Sequence, residues 1–79
     1  MIAQWNGDGR SFAGRSATAV VDAMRLGGIF TSGKSIAEYM SGVSGRITRL
    51  GGERIDTTSA DAFLRGLAAA GFITILRSN

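Results

Sequence analysis

The chain of 79 residues contains no cysteine and no histidine. Without cysteine, neither disulfide bonds nor thiolate metal ligands can supplement a hydrophobic core. Without histidine, the chain lacks the commonest general base and the commonest neutral metal ligand, which leaves six carboxylates as candidates. Most of these lie at expected helix starts or on polar faces, where capping accounts for them. We therefore expect a binding protein rather than an enzyme, with no metal and no cofactor.

Long apolar runs are also missing. Hydrophobic residues make up 44% of the chain, but no uninterrupted run approaches the roughly 20 residues of a membrane-spanning helix. The first five residues lack the basic region and apolar core of a secretory signal peptide. We expect a cytoplasmic protein with no membrane partner, folded as a single domain over residues 1–79 because the length suffices for one modest core.

The charge balance is moderately basic. Nine basic residues against six acidic ones give a formal net charge of +3, and eight of the nine are arginine. The planar guanidinium group of arginine suits phosphate groups and guanine edges. The same excess is ordinary for the solubility of a small domain. Composition thus permits nucleic-acid binding without requiring it.

The first third of the chain predicts strand, turn and helix. Residues 2–5 form a short strand that ends in a turn over residues 6–9. Residues 10–15 are either a second short strand or a loop. Ser16 caps a first helix over residues 17–26, whose apolar residues follow a helical period. Residues 29–31 are either a minimal strand or a buried loop.

The remaining segments predict further helices and a last strand. Ser35 and Glu38 form a capping box that starts the second helix. Gly42 and Gly45 each cost roughly 1 kcal/mol inside a helix, so residues 35–50 are either one helix or two with a turn near residues 41–45. Thr58, with an acid three residues later, caps a third helix, and residues 72–76 form the strongest strand.

These elements predict an α+β fold. A five-residue strand does not stand alone, and the segment over residues 2–5 is its obvious partner. The expected architecture has three or four short helices packed on a small sheet formed by the N- and C-terminal strands. Trp5, beside a turn, is expected to be a partly buried lid on the core rather than a ligand platform.

Two short motifs suggest phosphate or RNA binding. The segment from Gly28 to Ser35 matches G-x-x-x-x-G-K-[ST], the phosphate-binding loop of nucleoside triphosphatases. That loop needs a preceding buried strand and an acid that holds magnesium, and the sequence predicts neither, so nucleotide binding there is the third of three hypotheses. Residues 42–45 resemble the G-x-x-G loop of K-homology domains, which also require three strands around their helices.

A longer resemblance covers residues 36–50, IAEYMSGVSGRITRL. Its apolar-Ala pair at residues 36–37, Met40 and residues 47–50 fall at the spacing of the helix-turn-helix of bacterial and phage DNA-binding proteins. The family's glycine is replaced by Ser41, with Gly42 one place late. The resemblance implies a helix-turn-helix or winged-helix fold and a recognition helix from Val43 or Ser44 to Leu50.

The first functional hypothesis is therefore duplex DNA binding. The resemblance and the basic residues around it place these side chains on DNA: Ser44, Arg46, Thr48, Arg49, Lys34, Arg54 and Arg10. The second hypothesis is a protein-interaction or assembly module, such as a phage- or operon-encoded adaptor. It would bind a protein partner or itself through an apolar face or a sheet edge.

Overall fold

The computed structural model describes residues 1–28 and 31–77. These residues form, in chain order, β1 (Ile2–Trp5), β2 (Ser11–Ala13), α1 (Ala17–Leu26), α2 (Ile36–Arg49), α3 (Ala60–Ala69) and β3 (Ile73–Arg77). The α+β class is confirmed, with three helices in the described ranges. The predicted strand or buried loop over residues 29–31 falls, in its first two residues, outside the described residues. None of the described helices combines the length and apolar character needed to cross a bilayer.

The sheet is antiparallel, with strand order β2-β1-β3. Ala3 lies opposite Phe12 of β2 and Ile75 of β3, and Trp5 lies opposite Ile73. Since side chains alternate along a strand, these five share one face, and this face packs against the core. The predicted pairing of the two terminal strands is confirmed, and residues 10–15 contain a strand rather than only a loop.

Helix α1 has the predicted bounds. The Ser16 hydroxyl accepts a hydrogen bond from the Ala19 amide at 3.2 Å and caps the helix. Its buried stripe consists of Val20, Val21 and Met24. The helix contacts β2, α2 and α3, so one stripe anchors several elements to the same core.

Helix α2 runs without interruption through both of its glycines. Its start is the predicted capping box, because the Ser35 hydroxyl accepts from the Glu38 amide while the Glu38 carboxylate accepts from the Ser35 amide. The alternative with a turn near residues 41–45 is wrong, and no G-x-x-G loop forms there. Burial of Tyr39, Met40 and Ile47, at about 1.5–3 kcal/mol for each large apolar side chain, outweighs the cost of two glycines.

Helix α3 is capped by Ser59, one residue later than predicted. The Ser59 hydroxyl accepts from the Ala62 amide at 3.0 Å, whereas the Thr58 amide donates to the Asp56 carboxylate at 2.9 Å. Thr58 therefore ends a turn instead of capping a helix. Phe63, Leu64 and Leu67 are fully buried, as their spacing predicts.

Alanine at position 45 tests the continuity of α2. A Cβ atom at Gly45 meets no other atom within 4 Å, and alanine favours a helix interior over glycine. Gly45→Ala therefore raises the free energy of unfolding by about 0.5–1 kcal/mol, measured by urea denaturation. Gly51 has equal space but a φ of +88°, so Gly51→Ala lowers stability by roughly 1–2 kcal/mol. Destabilisation by Gly45→Ala would contradict an uninterrupted helix.

Candidate functional site

A cleft of about 320 Å³ opens between α2, the C-terminal end of α1 and the sheet; we call it the α2 cleft. Its volume is at the lower end of the range for small-molecule sites. Several separate segments supply its apolar wall. The apolar lining residues are Trp5, Phe12, Met24, Val43, Ile47, Leu50 and Phe72.

The polar lining of the α2 cleft is cationic. Arg10, Lys34 and Arg46 border it together with the phenol of Tyr39, and none of its described lining residues is a carboxylate. Charges beside apolar walls act through a lower effective dielectric than charges in open water. The cleft therefore favours an anionic group within an apolar enclosure.

Arg10 is held in place by the end of α1. Its Nη2 donates to the Gly27 carbonyl at 3.0 Å, and its guanidinium carbon lies 5.4 Å from the centre of the Phe12 ring. A cation at a helix C-terminus and above an aromatic face is stabilised by both contacts. A guanidinium group has five N–H donors, so the remaining ones are available to a ligand.

Lys34 lies on a segment that Arg25 organises. The Arg25 Nη1 donates to the carbonyls of Ser32 and Lys34 at 2.7 and 2.9 Å. Its other nitrogens donate to the Asp22 carboxylate at 2.6 and 3.1 Å. The Thr31 hydroxyl adds a hydrogen bond to the Arg25 carbonyl. Arg25 thus fixes the backbone that carries Lys34 to the cleft.

Tyr39 is only 7% exposed. Its ring meets that of Phe63 edge to face, with centres 6.4 Å apart. Burial raises the pKa of the Tyr39 hydroxyl, and the positive charges of Arg46 and Arg10 partly oppose this rise. No hydrogen bond joins this hydroxyl to another residue in the ranges 1–28 and 31–77, and since no fully buried side-chain oxygen or nitrogen there lacks a partner, the hydroxyl is open to solvent at the cleft. At neutral pH it is therefore a protonated donor in a cleft that Arg10 and Arg46 also line.

A second depression lies on the other side of α2; we call it the Arg54 groove. It is bordered by these residues: Ser41, Ser44, Gly45, Thr48, Arg49, Arg54, Ile55 and Thr57. The Thr48 hydroxyl donates to the Ser44 carbonyl at 3.0 Å. No carboxylate is among the described residues around the groove, so its charge is also positive.

The structure divides the predicted DNA contacts into three sets. Arg10, Lys34 and Arg46 meet at the α2 cleft, whereas Thr48, Arg49 and Arg54 border the Arg54 groove. Ser44 is buried, and its hydroxyl donates to the Ile55 carbonyl at 3.1 Å. Ser44 borders the Arg54 groove, but its hydroxyl is engaged within the fold, because its side of α2 packs against the segment that leads to α3.

Local hydrogen bonds engage most of the carboxylates. Five of the six accept from a nearby amide or arginine: Asp8, Asp22, Glu38, Asp56 and Asp61. In the described parts of the chain, no group of three or more acids is arranged to hold a metal ion. Capping and pairing account for these acids, and the cations beside α2 remain uncompensated.

The aromatic residues of the cleft are the part of the site that sequence reasoning missed. The period of α2 predicts that Tyr39 is core, and Trp5 is predicted to be a lid. Nothing in their spacing indicates that they meet Phe12 and Phe72 around one opening. The segment from Gly28 to Ser35 follows a helix rather than a strand, so the structural setting of a triphosphatase loop is not present there.

No family model matches the chain, and no curated protein or solved structure matches it either. The cleft and the groove are thus the features of the molecule that bear on its function. Both are concave, both border α2, and both have arginine at their margins.

Tyr39 provides a test of burial at the cleft. Because its pKa is raised above the ordinary value of 10.0, the folded chain keeps a proton that the unfolded chain releases. Stability present below about pH 10 is then lost as pH rises through the folded-state pKa. Urea denaturation at a series of pH values measures the free energy of unfolding. In Tyr39→Phe, which keeps the ring packed on Phe63, this free energy falls less steeply above pH 10 than in the unmodified protein. Identical pH profiles for the two proteins would contradict a Tyr39 hydroxyl whose pKa is raised by desolvation. The chain has one tyrosine, so phenolate absorbance reports its titration directly.

Proposed function

We propose that this domain binds nucleic acid, whose phosphate groups contact the basic side chains on both sides of α2. The observation that carries the proposal is the charge of the two depressions. Arg10, Lys34 and Arg46 border the α2 cleft, and Arg49 and Arg54 border the Arg54 groove. All five are exposed, and none forms a salt bridge with the described residues.

Unpaired surface cations are the residues that replace condensed counterions on a nucleic-acid backbone. An arginine already paired with a carboxylate loses part of this capacity, as Arg25 and Arg65 do in their bridges to Asp22 and Asp61. Arg46 and Arg49 are three residues apart on α2 and are therefore neighbours on the helix surface. Together they connect the positive charge of the cleft with that of the groove.

The proposal does not require a separate recognition helix. Contacts with phosphate position a protein on nucleic acid without reading the bases. The resemblance of residues 36–50 to helix-turn-helix proteins supports the proposal only through the outward placement of Arg46, Thr48 and Arg49. Because α2 is continuous, residues 36–50 do not form the turn and separate recognition helix that the resemblance implies, so duplex binding here would proceed through phosphate contacts, and single-strand binding is the other form of the same function.

A salt titration tests the proposal. Fluorescence anisotropy is measured with a labelled duplex and a labelled single strand, from low salt upwards. With three to five phosphate contacts, the logarithm of affinity falls against the logarithm of salt with a slope of about −3 to −5. The double variant Arg49→Gln, Arg54→Gln binds more weakly and has a slope smaller by about 2.

The matched control is Arg65→Gln. Arg65 is exposed on α3 and pairs with Asp61 at 2.9 Å, away from the lining of both depressions. This variant keeps the affinity and the slope of the unmodified protein. Absence of binding to both probes at low salt would overturn the proposal.

A second candidate function, self-assembly, is favoured by the edge strand β3. This strand lies at the end of the sheet, and its Leu76 is 55% exposed. A strand with an open edge can pair with a strand of another chain. Two copies paired through β3 would extend the sheet and cover both leucines.

Self-assembly predicts a mass that rises with protein concentration in sedimentation equilibrium, because β3 pairing is intermolecular. Leu76→Lys shifts the protein to monomer, since the added charge opposes edge pairing. Leu26→Lys is the matched control, because Leu26 is 57% exposed at the end of α1, outside the sheet. A monomer at every concentration tested would exclude this function.

A further inference from the structure

We infer that the α2 cleft binds one unpaired nucleotide, with the base against its aromatic wall and the phosphate at Tyr39, Arg10 and Arg46. This inference rests on the proposed function, nucleic-acid binding. It adds which part of the nucleic acid the cleft binds, namely a nucleotide that is not base-paired. The nucleotide comes either from a single strand or from free mononucleotide. Both sources share a planar ring that carries a phosphate group.

The hydroxyl of Tyr39 is a hydrogen-bond donor at the wall of the cleft. Tyr39 as a whole is 7% exposed, but its hydroxyl is not sealed inside the protein, because no fully buried side-chain oxygen or nitrogen among the described residues lacks a hydrogen-bond partner and no hydrogen bond joins this hydroxyl to another described residue. The ring is fixed against Phe63, and the residue lines the cleft. The hydroxyl is thus a positioned donor at the cleft that is available to a ligand.

The two flanking guanidinium groups identify that ligand as an anion. Arg10 and Arg46 both act electrostatically on the Tyr39 hydroxyl. Arg10 uses one nitrogen on Gly27, and Arg46 has no partner in the described chain. Two guanidinium groups and a phenol supply several convergent donors, an arrangement that suits the three acceptor oxygens of a phosphate.

The lining also limits the kind of phosphate. Triphosphates reach most proteins as magnesium complexes, and magnesium is usually held by one or two carboxylates. No acid is among the described residues around the cleft. The site therefore fits a phosphate monoester or diester without magnesium, and Lys34 at the margin adds charge for a second oxygen.

The aromatic wall and the volume of the cleft indicate a site for one nucleobase. Trp5, Phe12 and Phe72 present apolar surface to the opening, and stacking on such side chains is how proteins hold unpaired bases. The volume of about 320 Å³ is about twice the roughly 150 Å³ cavity that takes up benzene. This space can take one base, with its phosphate at the cationic margin.

A base in a duplex cannot enter such a cleft. It is stacked and paired, and access to its face requires extrusion from the helix at a cost in free energy. Unpaired nucleotides have no such cost, so proteins that stack bases on aromatic residues select single strands. The cleft therefore makes the domain prefer a single strand over a duplex of equal length.

The chain's one tryptophan is a direct probe of the site, because Trp5 lines the cleft. Its fluorescence is followed during titration with AMP, with adenosine, which lacks the anion, and with inorganic phosphate, which lacks the ring. AMP changes the signal and saturates it, whereas adenosine and phosphate bind at least tenfold more weakly. A saturating response to AMP that adenosine or phosphate matches would overturn the inference.

Substitutions locate the contacts. Tyr39→Phe removes the hydroxyl but keeps the ring, and it weakens AMP binding by about 10- to 100-fold, as expected for a hydrogen bond to a charged group. Arg46→Gln, at an exposed position that folding does not require, gives a similar loss. Arg65→Gln leaves AMP binding unchanged. Unaltered AMP affinity in both Tyr39→Phe and Arg46→Gln would overturn the assignment.

Anisotropy with a single strand and a duplex separates this inference from the proposed function. Preference for the single strand, lost in Tyr39→Phe, supports both with the strand as the source. Salt-dependent binding of both probes, without preference and without an AMP response, overturns the inference and leaves the proposed function standing. An AMP response without binding to either polymer supports the cleft with free mononucleotide as its source and overturns the proposed function.

Discussion

The buried stripe of α1 is the packing constraint from which the other positions follow. Val20, Val21 and Met24 are almost completely inaccessible, and α1 contacts the sheet through β2 as well as both other helices. Each such side chain contributes about 1.5–3 kcal/mol when buried, so the surrounding elements are held at the distance this stripe sets. Met24 is the last buried residue of α1, and it also lines the α2 cleft. The cleft therefore lies where the buried stripe of α1 ends.

Local signals explain why much of the fold could be predicted. The bounds of β1 and α1, and the start of α2, follow from a turn, a serine cap and a capping box, each contained within a few residues. The cap of α3 was wrong by one residue, because Thr58 and Ser59 are both good caps and the Asp56 carboxylate engages the amide of Thr58. The continuity of α2 depends on tertiary burial, which outweighs local helix propensity.

The site was only partly predictable for the same reason. Charge and helical spacing were enough to select Arg10, Lys34 and Arg46, but not to show that they meet around one opening. That opening is formed by side chains from β1, β2, α1 and α2, and its aromatic residues each have an ordinary core interpretation within their own segment. For Ser44 the sequence predicts an outward side chain. In the structure, a hydrogen bond to the Ile55 carbonyl holds its hydroxyl inside the fold.

The two glycines of α2 connect the fold to the site. Neither has a positive φ, and a Cβ atom at either would meet no other atom within 4 Å. Backbone geometry and packing therefore give no reason for glycine, although each costs roughly 0.5–1 kcal/mol relative to alanine in a helix. Gly42 borders the α2 cleft and Gly45 borders the Arg54 groove. The absence of a side chain at each position leaves the wall of the adjoining depression open. The feature that suggested a turn in the sequence thus shapes the two concave surfaces on which the proposed function depends.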